Sequence, residues 1–312
     1  MAPHYYKSNG KLLISGEYLV MHGAVAFAIP VRFGQSLEVL ESDAESVLRW
    51  ETYVEENSWF KAEYELPGLG IANHNNSKSA AFVHEVLLAA QGVNLDFLNG
   101  SGGLQVDCRI DFNMEWGLGS SSSLISNIAY WAGIDPFMLH EKVSNGSGYD
   151  IACARLNKPI LYENSNGTKK IITVEFQPKF LKNLYFIYLG KKKDSQADVK
   201  LFKNDKRDFI VEVKQISDIS RKMASSNNYE EFGKLMRDHE EILTSVLGRP
   251  SLKETNFNDF DGEIKSLGAW GGDFAMALWP HESEELKMYL ATKNLGVYFG
   301  YNEMIYKTDE QA

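Results

Sequence analysis

Between a strand-like run, Gly103 to Phe112, and a helical one, Leu124 to Ala132, stands the segment Gly117-Leu-Gly-Ser-Ser-Ser-Ser123. Its two glycines let the backbone turn where a Cβ would obstruct it, and let a ligand approach closely. Serine hydroxyls and the free amides of a helix start supply donors for an anion. The segment therefore demands a strand, a tight turn and a helix in succession. On its residues alone it is an ordinary helix start or a seat for phosphate. It lacks the Lys-Ser/Thr ending of a Walker loop and the glycine spacing of a dinucleotide site, so neither of those phosphate folds applies.

The flanking chain alternates in the same way. Lys11 to Val20 carries apolar, strand-type residues up to a Gly-Glu corner, and Ala24 to Val31 forms another apolar run. Residues 46 to 66 alternate as exposed antiparallel strands would. Lys78 to Ala90 reads as a helix, with Ala81, Val83, Val86, Leu87 and Leu88 on its apolar face. After Asp150 come three short strand candidates, Pro159 to Tyr162, Lys169 to Phe176 and Leu184 to Leu189. Two helices follow, one through Phe209, Val213, Ile216, Ile219 and Met223, the other through Phe232, Leu235, Met236, His239, Ile242, Leu243 and Val246, closed by Gly248 and Pro250. Strand-like Phe274 to Leu278 and Gly296 to Tyr301 end the pattern. Mixed strands and helices over 312 residues predict two domains of an α/β or α+β kind, with a boundary near residue 170.

Charge narrows the partners. The 42 acidic against 32 basic residues give a net charge of -10, which provides no overall positive field for nucleic acid or an anionic membrane. A phosphorylated ligand needs a local basic pocket, to which Lys191 to Lys193 could contribute, although a solvated loop tip is the better explanation of that run. Only two cysteines occur, Cys108 and Cys153, and the first residues lack the build of a secretory signal, so a cytoplasmic setting is expected. No apolar run approaches the roughly 20 residues of a membrane span, and the histidines and cysteines lack zinc-ligand spacing.

The Gly117 run resembles the second motif of the GHMP kinases (galactokinase, homoserine kinase, mevalonate kinase, phosphomevalonate kinase), P-x-x-x-G-L-G-S-S-A-A, with Asn113 in place of the proline and Ser122 and Ser123 in place of the alanines. Asn9-Gly-Lys-Leu-Leu-Ile-Ser-Gly-Glu-Tyr18 resembles the first motif, P-G-K-x-x-L-x-G-E-H/Y, and Lys265-Ser-Leu-Gly-Ala-Trp-Gly-Gly-Asp273 the third, K-x-x-G-A-G-G-G, with Trp270 standing where the family has glycine. Gly146-Ser-Gly-Tyr-Asp150-Ile-Ala resembles G-S-G-x-D-x-A of mevalonate-type kinases, and Phe232 to His239 their L-G-x-L-M-x-x-N-H helix.

The resemblance implies an α+β fold with an N-terminal domain, residues 1–170, like the second domain of ribosomal protein S5, and a ferredoxin-like C-terminal domain, residues 171–312. It implies ATP and Mg2+ as cofactors. Gly117, Gly119, Ser120, Ser121 and Ser122 would hold the phosphates, and Ser121 with Glu141 the metal. Asp150 would accept the proton of the acceptor hydroxyl with Lys11 beside it, and Glu17, Tyr18, Ser195, His239, Gly271, Gly272 and Asp273 would line the acceptor site. His239 also fits a core stripe, and Asp150 an ordinary Gly-rich turn. Gly-Glu-Tyr18, Asp273 and the form of the Asp150 segment resemble phosphomevalonate kinase most. The expected acceptor is thus a small acidic alcohol, phosphomevalonate before mevalonate. Homoserine, a sugar, or binding without turnover stand as alternatives, and a homodimer is left open.

Overall fold

The computed structural model describes residues 3–43, 46–165, 167–190, 202, 205, 207–268 and 273–305. The chain divides into two compact units. One contains residues 1–10, 33–114 and 118–155, the other 11–32, 115–117 and 156–312. The sequence places a single break near 170, whereas the last exchange between units follows Arg155. The physical reason is pairing: β7 (Ile160–Ser165) bonds to Ala26–Ala28 at the start of β2 (Ala26–Ser42), and so belongs with that stretch of chain.

In the first unit the later part of β2 joins β3 (Val47–Val54), β4 (Asn57–Glu65), β5 (Ile71–His74) and β6 (Gly103–Ile110) in the order β5-β4-β3-β6-β2. The β3–β6 pair is parallel and the others are antiparallel. The expectation of exposed strands over 46–66 is corrected here: Leu48, Trp50, Phe60 and Tyr64 are buried. Period-2 alternation sends only every second residue to solvent. That inner face packs on α1 (Ser77–Gln91) and α2 (Ser120–Trp131), through Val83, Val86, Leu87, Leu124, Ile125 and Ile128. Asn76 caps α1, its side chain accepting from the Ser79 amide at 3.1 Å. The buried stripe of α1 runs through Ala80 and Ala90, and Leu88 is exposed. Two further helices, α3 (Pro136–Val143) and α4 (Tyr149–Arg155), add Leu139 and Ile151 to the same core.

In the second unit β7 also pairs with β8 (Thr168–Thr173). A four-stranded antiparallel sheet follows, formed by β9 (Leu184–Tyr188), β10 (Glu263–Leu267), β11 (Phe274–Leu278) and β12 (Tyr298–Gly300) in the order β10-β11-β9-β12. Helices α5 (Ile210–Ser225), α6 (Tyr229–Leu247) and α7 (Leu252–Asn256) lie between β9 and β10 in the chain, and α8 (Ser283–Thr292) between β11 and β12. That succession is the β-α-β-β-α-β pattern of a ferredoxin-like sheet. Every residue of β11 is buried, so both faces of the sheet are covered. Ile187, Ala275, Ala277, Trp279, Leu286 and Leu290 belong to one of its cores. No helix among the described residues is long and apolar enough to cross a membrane.

Candidate active site

Gly117 and Gly119 both adopt left-handed backbone, with φ of +64° and +94°. A side chain is strongly disfavoured there, which explains the two glycines locally. Gly119 is the N-cap of α2, and no side chain caps that helix. The first-turn amides therefore point outward at the positive end of the helix dipole, with Ser120 half-buried and Ser121 exposed beside them. Ser123 turns inward, its hydroxyl donating to Gln35 Oε1 at 2.7 Å and anchoring the turn to β2.

Ser122 faces a different partner. Its hydroxyl donates to Oδ2 of Asp150, at the first turn of α4. The other carboxylate oxygen accepts from the Ile151 amide at 3.0 Å, and His140 Nε2 stands 4.0 Å from it. The side chain of Asp150 keeps 22% exposure, against 3% for His140. A carboxylate and an uncapped helix start thus share one place in the first unit. Sequence reasoning did not single out His140. Its signal was helical rotation: on α3, His140 is buried while the next residue, Glu141, is exposed.

The second unit gathers the other motif residues. Lys11 Nζ donates to the Gly117 carbonyl at 2.8 Å. The Asp273 carboxylate lies where a side chain at 117 would stand, and Asp273 has a left-handed φ of +46°. Glu17 is buried, with Oε1 accepting from Lys265 Nζ at 2.7 Å and Oε2 standing 2.9 Å from His239 Nε2. Burial alone would raise the Glu17 carboxyl, but Lys265 and then His239 outweigh it and hold it below its ordinary value. Tyr18 is buried too, its ring edge-on to Phe202 at 5.3 Å. The resemblance implies acceptor contact for Glu17, Tyr18 and His239; in the structure all three are covered by protein. Ser195, Gly271 and Gly272, with Trp270 and Lys191 to Lys193, lie outside the described residues. Among the described residues no group of three or more His, Cys, Asp or Glu side chains could hold a metal.

No family model matches the chain, and no curated protein sequence matches it. Solved structures do. The mevalonate kinase of Methanococcus jannaschii superposes with a TM-score of 0.68 over 96% of this chain and 97% of its own, at 19% identity. The Streptococcus pneumoniae phosphomevalonate kinase in complex with phosphomevalonate and AMPPNP gives 0.68 over 95% and 99%, at 17% identity. The chain has the GHMP kinase fold. A Lactococcus lactis galactokinase complexed with galactose has that same fold, at a TM-score of 0.68, 12% identity, and coverage of 95% of this chain and 92% of its own.

Proposed function

We propose that the protein is an ATP-dependent phosphotransferase that carries the γ-phosphoryl group to an oxygen of a small acidic alcohol, the phosphate oxygen of phosphomevalonate or, as the alternative, the hydroxyl of mevalonate. The observation that carries this reading is the Ser122–Asp150 hydrogen bond, which holds a carboxylate beside the uncapped start of α2. Amides at such a helix start suit phosphate oxygens. Phosphoryl transfer asks chiefly for alignment and for neutralisation of spreading charge.

In this mechanism the first turn of α2, from Gly119 to Ser122, binds the phosphates of ATP. Asp150, oriented by the Ser122 hydroxyl, accepts the proton of the attacking acceptor oxygen, where that oxygen carries one, as the oxygen bonds to the γ-phosphorus and ADP departs. By the kinase resemblance, Lys11 would supply a cation for the charge that develops. By the kinase resemblance Ser121 and Glu141 would hold Mg2+; both are exposed oxygen donors, the donor type that hard ion prefers. Bound there, the ion would supply charge neutralisation on the phosphates.

The decisive experiment follows ADP release over phosphomevalonate, mevalonate, homoserine and galactose, with Asp150→Asn as control. Stimulation by phosphomevalonate that is lost in the Asn protein is the expected result. If no acceptor stimulates ATP use, or the Asn protein keeps full activity, the reading fails.

A further inference from the structure

Glu17 resembles a substrate-binding residue in sequence, yet its surroundings leave it little to offer a substrate. It is 2% exposed, Lys265 and His239 are 0% exposed, and the three come from a corner after β1 (His4–Ser15), from β10 and from α6. Lys265 Nζ makes a second hydrogen bond to the Ser266 carbonyl at 2.7 Å, so its ammonium is satisfied wholly within the fold. The imidazole of His239 serves two neighbours. Its Nε2 lies 3.2 Å from the Gly16 amide, from which it accepts when bare, and 2.9 Å from Glu17 Oε2, to which it donates when protonated.

The corner itself cannot slide. Gly16 has φ of +98°, and Ala26 Cα lies 2.7 Å from the position a Cβ at Gly16 would take. The Gly16 carbonyl accepts from Val20 N at 3.0 Å, and the Ser15 hydroxyl donates to Ser220 of α5 at 2.8 Å. Leu12, Leu13 and Ile14 are buried along the strand between this corner and Lys11. A strand held at its end and packed along its length passes the position of that end to the residues before it.

We propose that Glu17 is a positioning residue: with Lys265 and His239 it forms a buried clamp on the Gly16 corner that fixes where β1 presents Lys11, and it does not touch the acceptor. The role of Lys11 rests on the kinase reading above; the clamp does not. Removing one partner of a buried pair strands the other charge, whereas removing both leaves a neutral site.

The test compares wild type, Glu17→Gln, Lys265→Met and the double variant, with Glu17→Asp as a version that keeps the charge but shortens the reach. Each single change is expected to lower kcat by about tenfold or more, with acceptor KM held within about twofold, because alignment is lost and acceptor contact is not. Thermal midpoints should fall in both singles and recover in the double variant. Glu17→Asp should stay folded and lose kcat at unchanged KM. A rise in acceptor KM at unchanged kcat in either Glu17 variant would overturn the proposal, as would simple addition of the two single effects on melting. Melting needs no substrate, so a wild type without turnover would count against the kinase reading, and additivity against the clamp.

Discussion

The Lys11 ammonium donates to the carbonyl oxygen of Gly117 at 2.8 Å, although 106 positions separate the two residues. The bond ties a cation to the first glycine of the candidate phosphate loop. Replacing Lys11 with Met keeps the stem and removes the charge. The expected outcome is a fall in kcat of about 100-fold, the size seen when one donor to a charged transition state is lost. Steady-state ADP release measures it, and circular dichroism should show the fold retained.

Ser122 and Asp150 separate orientation from proton transfer. Asp150→Asn removes the base, and kcat should fall by about 100-fold to 10,000-fold. Ser122→Ala leaves the carboxylate in place but less constrained, and kcat should fall by only about tenfold. If the two variants proved equally impaired, the hydroxyl would be doing more than orienting the carboxylate.

Gly117 is sensitive for two reasons, its left-handed φ and the Asp273 carboxylate that occupies the space of a side chain. Gly117→Ala should cost about 1–2 kcal/mol from backbone conformation alone, and more from the overlap. Adding Asp273→Gly should recover the overlap part and leave the conformational part, a difference that thermal melting resolves.

The depressed carboxyl of Glu17 carries a pH dependence. Its pKa is lower in the folded chain than the ordinary 4.5, so the folded state binds the proton less readily than the unfolded state. Its contribution to stability is present above about 4.5 and is lost as pH falls through the depressed folded value. The melting difference between wild type and Glu17→Gln should therefore be largest at neutral pH and shrink on acidification toward pH 3. A constant difference across that range would show that the charge of Glu17 does not matter.

Local order in this protein was legible because its causes are local. The 3.6-residue stripe of Phe232, Leu235, Met236 and Leu243 predicts α6, and those residues are buried in it. The glycines at 117 and 119 predict a turn before a helix, and both have the positive φ that glycine permits. Leu88 shows where such reasoning stops: it fits the apolar stripe of α1 as well as Leu87 does, but only the packed sheet decides which of them is covered. The motifs named Lys11, Glu17, Asp150 and Lys265 one by one, without saying which would meet.

What the sequence by itself determined was the alternation of strands and helices, the phosphate-type turn and the resemblance to a kinase superfamily. Only the tertiary structure decided that Glu17 faces Lys265 and His239 in a buried site, that Asp150 answers Ser122 beside His140, and that Asp273 fills the space at Gly117. Burial and charge pairing depend on groups that are distant in the chain. Glu17 and Lys265 stand 248 residues apart, and the energy of a buried carboxylate is set by which cation the fold brings to it.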